Sequence, residues 1–531
     1  MRQETKMKMD NKIYEEQDYE NGALYKTQVC VIGTGCGGAT VAKRLTDFGF
    51  DVILLEQGGY YPATKMDQNE LNMAGKLFGA RGLATGHDGG NVLMYGNNVG
   101  GASVHYWADS YRTPSEKIRS WEQEFGVKGH GVAALNPAFD AIEKSLNVHR
   151  AEDEFFNPMN EKVRGACATL GWHGHRVPQA RKFCQKSGHC MQGCLYDAKQ
   201  SQIVTHIPSA LKQGARLFSD ARAAQLIYSD TKELARKANG VSVEIMDRAR
   251  NRPSGKKFKI AADVVVLAGG GFNSSFFLMQ QGFKKDLPAL GKYFSMNPST
   301  MVHSLFEEEI IQWRNIPAAW GVDEYRLRRF NKNQYVEGGY LLMPNQLQPA
   351  SLAATIPGFG SDHRTWMDDL SKVGGTIAWM DDVESELGEI RIKSNGAREV
   401  YYPYGELTKK VLKDGIKKQV ILNFEAGAKK VLVAGLQGVS LNTIDEIQKL
   451  DDLNIEAGGL SMASPHPGGG CRMGEDPNLS VVNSDHQVHG WDNLFVSDSS
   501  VFPSSSSLDP SLTIMAFSYI AADRIKERLS V

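Results

Sequence analysis

The chain has 531 residues, 41% of them hydrophobic, which is enough to bury a large core in two or more domains. Its 60 Lys and Arg residues are spread among 61 Asp and Glu residues, so the formal net charge of −1 leaves no basic stripe for nucleic acid. No stretch approaches the ~20 apolar residues of a membrane span, and residues 1–21 have no apolar signal core, so we expect a cytoplasmic protein that acts on a small molecule.

The first predicted elements surround a glycine-rich turn. Residues 27–58 predict a strand, a glycine turn, a helix and a second strand. Gly33 permits the tight turn, Gly35 lets a pyrophosphate approach the backbone, and Gly38 lets the helix pack on the strand. Glu56 follows the second strand, where a carboxylate accepts hydrogen bonds from a ribose 2′-hydroxyl and repels a 2′-phosphate. The segment therefore predicts a site for FAD or NAD rather than NADP, with a purely structural turn as the alternative.

Later segments predict a second strand unit, a separate sheet and two helices. The continuous apolar run at 263–267, closed by glycines, predicts a buried parallel strand that leads into a helix. Because it comes long after the first unit, we expect the nucleotide domain to be split in sequence. Alternation between 299 and 405 predicts a separate sheet, with a hairpin at the Asn395-Gly396 turn. Residues 406–436 and 512–529 predict helices.

Four segments carry more specific information when taken in order. They are the N-terminal glycine motif, residues 96–103, residues 493–498, and the pair 464–474 with 509–514. Together they resemble the glucose–methanol–choline (GMC) family of FAD-dependent oxidoreductases. The resemblance implies an α/β fold with a Rossmann-like FAD-binding domain that is discontinuous in sequence, and an α+β substrate domain on a separate, mainly antiparallel sheet.

The same resemblance sets expected domain boundaries. It implies an N-terminal extension at 1–24, a first FAD-binding part at 25–298, a substrate domain at 299–455 and a last FAD-binding part at 456–531. The first FAD-binding part includes a cysteine-bearing loop at 181–201.

His466 lies where the family keeps its catalytic histidine beside the flavin. An imidazole is suited to take a hydroxyl proton near neutral pH while hydride leaves the adjacent carbon for the flavin. The alternative is a histidine that only hydrogen-bonds its turn. The family's second residue is a His or Asn, but this chain has Asp509 there, which acts as a base, orients the substrate, or caps the following helix.

Further flavin contacts follow from the resemblance. These cofactor-binding residues are Asn97, Gly100, Gly101, Ser103, His105, Ala223, Asp498, Pro510 and Ser511. Some family members attach the flavin covalently at the position of His105, and others keep an uncoupled histidine there. For this chain we expect a side chain that packs against the flavin.

Cys184, Cys190 and Cys194 are spaced C-x5-C-x3-C. Soft thiolates in a glycine-bearing loop suit a metal or an iron–sulfur cluster, and a [3Fe-4S] cluster needs only three. A local disulfide with one free thiol, or three reduced thiols, are the alternatives. The pattern resembles the family's cluster-bearing dehydrogenases, whereas residues 197–201 are more like its long-chain alcohol oxidases.

The cluster decides the expected electron acceptor and location. It would pass electrons to a small subunit or a cytochrome, which makes the enzyme a dehydrogenase. Cluster-bearing relatives are often exported with a small subunit that carries the signal, so the periplasm is the alternative to the cytoplasm.

The sequence thus predicts FAD-dependent oxidation of the CH–OH group of a sugar, glycoside or other alcohol to a carbonyl, with His466 as base. A long-chain alcohol or sterol oxidase that uses O2 and a flavoprotein that only carries electrons are the alternatives. The pattern of His466 and Asp509 argues against an NAD-linked dehydrogenase. Aromatic residues such as Trp379 either stack on a sugar ring or belong to the core.

Overall fold

A computed structural model describes residues 12–230, 235–436, 438–456 and 458–530. Its strands are β1 (Ile13–Tyr14), β2 (Leu24–Ile32), β3 (Val52–Leu55), β4 (Asn91–Leu93), β5 (Val148–Arg150), β6 (Gly174–Arg176), β7 (Pro178–Ala180), β8 (Arg216–Phe218), β9 (Ala221–Ser229), β10 (Lys237–Asp247), β11 (Arg252–Leu267), β12 (Lys292–Phe294), β13 (Ser299–Leu305), β14 (Trp320–Val322), β15 (Arg329–Asn331), β16 (Gln334–Glu337), β17 (Tyr340–Pro344), β18 (Val373–Met380), β19 (Gly388–Ile392), β20 (Arg398–Tyr401), β21 (Lys430–Val433), β22 (Val439–Leu441), β23 (Met462–Ser464) and β24 (Leu494–Val496). Its α-helices are α1 (Cys36–Asp47), α2 (Glu70–Leu77), α3 (Ser115–Phe125), α4 (Val132–Ser145), α5 (Pro158–Thr169), α6 (His206–Lys212), α7 (Asn273–Gln280), α8 (Pro349–Thr355), α9 (Gly360–Asp368), α10 (Glu406–Glu425) and α11 (Ser511–Leu529).

The first large sheet has eight strands in the order β1-β8-β3-β2-β11-β10-β9, with β24 also paired to β11. The apolar residues of β2, β3 and the end of β11 pair in parallel, as expected for strands covered by helices on both faces. The predicted strand, turn, helix and strand over 27–58 are confirmed. The predicted parallel strand at 263–267 is also confirmed as the end of β11, and α7 follows it.

The second large sheet has nine strands, ordered β22-β21-β13-β18-β17-β14-β6, with β23 and β4 off this path. Its pairs are antiparallel apart from β23 with β4. The predicted fold class, with two separate sheets of which the second is mainly antiparallel, is therefore confirmed. The hairpin at Asn395-Gly396 is also confirmed, but β19 and β20 join β12 in a third, three-stranded sheet.

One helix prediction was too long. The segment 406–436 was expected to be helical throughout, but α10 ends at Glu425. Gly427 follows with a φ of +91°, a left-handed conformation that stops helices and suits glycine. Residues 430–433, of which the last three are apolar, then form β21, because they pair with β13 across a large sequence separation.

The two faces of the second sheet have different neighbours, since one packs against α10 and the other faces the candidate site. Val302, Leu342 and Ala378 point to one face, where they pack with apolar residues of α10 such as Ile416 and Val420. Their neighbours Met301, Met343, Ile377 and Trp379 point to the other face, because side chains alternate along a strand. This second face forms one wall of the candidate site. Among the helices that the structure describes, none has the length and apolar content of a membrane span.

Candidate active site

A cavity of about 1230 Å³ has residues of both large sheets in its walls. Many residues singled out from the sequence line it: Gly33, Gly35, Glu56, Gly101, Ser103, His105, Ala223, His466, Asp498, Asp509, Pro510 and Ser511. Six others do not line it: Gly38, Asn97, Gly100, Cys184, Cys190 and Cys194. The fold therefore brings residues from both ends of the chain to one site.

The glycine turn leaves the start of α1 open to a ligand. Gly33 has a φ of +105°, and a Cβ there would lie 2.1 Å from the carbonyl oxygen of Ala268. A Cβ on Gly38 would lie 2.0 Å from the carbonyl oxygen of Gly33, so the helix packs closely on the turn. Helix α1 begins after Gly35, and no side chain in the described residues caps it. Its first N–H groups are thus free for an anionic group such as a pyrophosphate.

Glu56 is buried and holds this turn in place. One of its oxygens accepts hydrogen bonds from the N–H and hydroxyl of Thr34, at 3.2 and 2.8 Å, and the other accepts the Gly58 N–H at 3.0 Å. Burial raises the pKa of Glu56 to about 7. The Thr34 hydroxyl also accepts the Gly100 N–H at 3.0 Å, so the two glycine-rich loops are tied together. The open helix end, the paired glycine loops and Glu56 fit the adenosine diphosphate half of FAD.

Two predicted flavin contacts, Asp498 and His105, also line the cavity. Asp498 accepts hydrogen bonds from the Gly270 N–H at 2.9 Å and the Ser274 hydroxyl at 2.6 Å, and burial raises its pKa. The ring of His105 lies 3.9 Å from that of Phe78. Burial, and then the charge of Lys199, lower the pKa of His105 to about 3. Its Nε2 is buried without a hydrogen-bond partner among the described residues.

His466 follows β23 in a loop that is anchored to the segment after β12. The backbones of Ser295 and Gly468 exchange two hydrogen bonds, of 2.9 and 3.0 Å. Asn297 is two residues from Ser295, and this pairing brings its Oδ1 to 2.7 Å from His466 Nδ1. Asn297 Nδ2 donates to the Met380 carbonyl, which fixes the amide with its oxygen toward the imidazole.

Asp509 lies on the other nitrogen of this imidazole. Its Oδ1 is 3.0 Å from His466 Nε2, and its Oδ2 is buried with no hydrogen-bond partner in the described part of the chain. The following helix α11 has Pro510 as its N-cap and no side-chain cap, so the capping alternative for Asp509 is wrong.

The contact at Nδ1 defines the tautomer of the imidazole. Because Nδ1 faces an amide oxygen, it carries a proton, and Nε2 is the nitrogen that accepts one. The contact between Nε2 and Asp509 is a hydrogen bond only when one more proton lies between them. Without that proton, a neutral imidazole stands beside a carboxylate at the cavity wall, and the pair can take a proton from a ligand.

The second sheet supplies an apolar wall next to His466. The ring of Trp379 lies 5.0 Å from the imidazole and 6.1 Å from the ring of Trp107. Met301 and Ile377 continue this wall along the sheet. Trp379 is thus both a core residue and part of the cavity wall.

Sequence reasoning missed two asparagines of this site, Asn297 and Asn345. No local pattern connects Asn297 with His466, because 169 residues separate them. Asn345 follows β17 and lines the cavity, and only the pairing of the strands places it there.

The three predicted cluster ligands have different direct contacts. Cys190 Sγ accepts a hydrogen bond from Arg181 at 3.4 Å, and Cys194 Sγ accepts one from the Lys199 N–H at 3.4 Å. Cys184 packs beside apolar residues that include Phe156 and Ile316. All seven cysteines are free thiols. Within the residues that the structure describes, no group of three His, Cys, Asp or Glu side chains forms a metal site, so the arrangement does not fit a [3Fe-4S] cluster.

Comparisons with known proteins agree with this architecture. Two family models described as GMC oxidoreductase match residues 51–299 and 412–518, together more than half of the chain. An uncharacterised GMC-type oxidoreductase of Mycobacterium tuberculosis is 27% identical over 514 residues, covering 95% of this chain and 76% of that protein. A long-chain-alcohol oxidase of Arabidopsis thaliana is 25% identical over 535 residues, covering 97% and 70%. A formate oxidase structure from Aspergillus oryzae shares the fold, with a TM-score of 0.72 and 15% identity over 96% of this chain and 99% of that one.

Proposed function

We propose, from the premise that this chain belongs to the GMC oxidoreductase family, that His466 and Asp509 together take the hydroxyl proton of an alcohol with a mainly apolar body. The chain is an FAD-dependent alcohol oxidoreductase, as its family and its relatives among alcohol oxidases show. The observation that carries the proposal is the imidazole at the cavity wall, held between Asn297 Oδ1 at 2.7 Å and Asp509 Oδ1 at 3.0 Å.

Asn297, His466 and Asp509 have different roles in the proposed reaction. FAD, when bound, supplies the acceptor for the hydride that leaves the carbinol carbon. Asn297 keeps the proton on His466 Nδ1, so that Nε2 faces the reacting hydroxyl as the base. When Nε2 takes that proton, the imidazolium gains the negative charge of Asp509 beside it, and the carbinol is left as a carbonyl. No buried charge is then left without a partner.

The residues that would hold FAD lie along the same cavity. We place the pyrophosphate at the start of α1 beside Gly33 and Gly35, with the ribose near Glu56. Gly101, Ser103, Ala223, Asp498, Pro510 and Ser511 line the same cavity as these residues and His466. His105 lines the same cavity, and we expect its ring to pack against the cofactor. Acid precipitation tests whether the link is covalent, since colour left in the supernatant excludes a bond.

The wall beside His466 supports an apolar substrate rather than a sugar. Met301, Ile377 and Trp379 present hydrocarbon and ring surfaces to the cavity. A sugar bound there would bury hydroxyl groups without partners, which costs free energy. The long-chain-alcohol oxidases among the relatives support the same choice. We therefore favour the alternative that the sequence left open, a long-chain or similarly apolar alcohol.

The cysteine loop carries no electrons in this proposal, because its thiols do not fit a cluster. A partner subunit or cytochrome, expected only with a cluster, stays a prediction from the sequence. Iron and sulfide analysis of anaerobically purified protein tests it. Stoichiometric iron and sulfide would restore the dehydrogenase with an electron partner, and their absence supports the reaction proposed here.

The central experiment is anaerobic reduction of the bound flavin by straight-chain alcohols, followed as bleaching of its absorbance. We expect His466→Ala to lower the rate by ~10² or more while flavin stays bound. His173→Ala is the matched control, because this histidine is 71% exposed and lies outside the cavity. Full activity of His466→Ala would move the base to Asp509 or another group. A wild-type flavin that no alcohol or sugar bleaches would contradict the catalytic function itself.

A further inference from the structure

Asn345 is a buried amide that the reaction at His466 does not use. Asn345 is one of the residues that line the cavity, and it is only 1% exposed. Neither its Nδ2 nor its Oδ1 has a hydrogen-bond partner among the described residues. Buried amides are normally paired, because leaving one unpaired costs free energy. An unpaired amide that faces a binding cavity points to a ligand group that completes it.

The strand register places Asn345 on the same face as Trp379. Met343 and Met301 both pair with Ile377, which makes one row across three strands. Asn345 continues β17 by donating its N–H to the Gly375 carbonyl at 2.9 Å, and Gly375 pairs with His303. Along β18, the row of Asn345 therefore falls at Gly375, two residues before Ile377, and Trp379 lies two residues after Ile377. Because side chains alternate along a strand, all three rows present the same face.

This order sets the distance from the catalytic pair. Residues 375 and 379 are four positions apart on one strand, so the rows of Asn345 and Trp379 lie ~13 Å apart at 3.3 Å per residue. Trp379 touches His466, and the wall between the two rows is formed by Met301 and Ile377. A ligand along this wall meets a base at one end, an apolar stretch in the middle, and an amide at the other end.

The far row carries no charge that would select an ion. Asn345 is neutral, Gly375 has no side chain, and burial lowers the pKa of His303 to about 4, so this ring is neutral near pH 7. A carboxylate or ammonium group would be desolvated there without a counter-charge. A hydroxyl or amide group can donate to Oδ1 and accept from Nδ2.

We propose that Asn345 binds a second, uncharged hydrogen-bonding group of the substrate, at the end opposite the carbinol that is oxidised. The inference rests on the proposed function and names its substrate class: an apolar alcohol with a hydroxyl or amide at its far end. Asn345 is then a residue that determines specificity and takes no part in proton transfer.

The test compares α,ω-alkanediols with the 1-alkanols of the same length as reductants of the bound flavin. For wild-type protein, we expect the ratio of kcat/KM values, diol over monoalcohol, to rise to at least about tenfold at one chain length and to fall on either side of it. Asn345→Leu has a similar volume and removes both polar atoms, so we expect this ratio to fall to about the twofold that two equivalent ends allow.

The control variant is Gln346→Leu. Gln346 is a buried amide one position along the chain, but its Nε2 donates to the Arg314 carbonyl at 2.9 Å, and it does not line the cavity. This variant should keep the diol preference even if it lowers the melting temperature. The wild-type ratio itself needs no variant, so the test stands even if a mutant fails to fold.

The outcomes separate the two proposals. Alcohols that reduce the flavin with no diol preference at any length would overturn the role of Asn345 and leave the proposed function intact. A preference that survives Asn345→Leu would also overturn it. Failure of every alcohol and diol to reduce the flavin would overturn the proposed function and this inference with it.

Discussion

Replacement of Asp509 by Asn gives the sharpest test of the proposed base, because it removes a charge while keeping the shape of the side chain. The carboxylate Oδ1 lies 3.0 Å from His466 Nε2, and the two side chains are only 14% and 11% exposed. In the variant, the amide donates to Nε2 of a neutral imidazole, and the nitrogen that should take the substrate proton is occupied. When the imidazole does take the substrate proton, the imidazolium that forms has no neighbouring anion.

The size of the effect follows from the geometry of the pair. Two unit charges about 4 Å apart attract each other by about 4 kcal/mol at an effective dielectric constant of about 20. This attraction exists only after the imidazole has become charged, so it stabilises the transition state more than the ground state. Its loss corresponds to at most about three powers of ten in rate, and we expect a decrease of about a hundredfold to a thousandfold.

The assay is stopped-flow reduction of the bound flavin by an alcohol without oxygen, with the flavin-to-protein ratio measured for each variant. Asp323→Asn is the matched control, because Asp323 also contacts histidines, including His173 at 2.5 Å, but lies outside the cavity. An Asp509→Asn enzyme that keeps its flavin and reacts within a few fold of the wild type would refute the reasoning. A variant that loses its flavin would show instead that Asp509 helps to hold the cofactor.

Three further predictions concern the support of the site and its stability. Asn297→Leu removes the acceptor for the His466 Nδ1 proton, so we expect about tenfold slower flavin reduction in the same assay with unchanged flavin content. Full activity would contradict the inference that Asn297 keeps the proton on Nδ1. Gly38→Val places a Cβ 2.0 Å from the Gly33 carbonyl oxygen, and absorbance of the purified protein should show a reduced flavin-to-protein ratio, while normal occupancy would contradict the close packing. Burial lowers the pKa of five histidines to about 3 or 4. Below pH ~6.5, the unfolded chain therefore binds protons that the native protein does not. Each such histidine lowers the free energy of unfolding by up to about 1.4 kcal/mol for each pH unit that the pH falls. The urea midpoint should therefore fall as the pH drops from about 7 toward 5, and an unchanged midpoint would contradict the burial of these residues, His105, His130, His206, His303 and His486.

The sequence alone determined the features that depend on neighbouring residues. The strands around Gly33 and the buried strand at 263–267 were predicted from apolar runs and glycine positions, because backbone conformation and side-chain alternation are local properties. The same holds for the hairpin at Asn395-Gly396 and for the final helix, which was predicted at 512–529 and is observed at Ser511–Leu529. The end of α10 at Glu425 was missed because pairing of 430–433 with β13 outweighed the helical pattern.

Only the tertiary structure decided how the site is built. Asp509 meets His466 and leaves α11 without a side-chain cap, and Asn297 reaches the same imidazole across 169 residues. Asn345 reaches the cavity through the register of β17 and β18, and the cysteine loop directs its thiols to different partners. These contacts join residues that are far apart in the chain, so they depend on how sheets and loops pack together, which no local pattern of residues encodes.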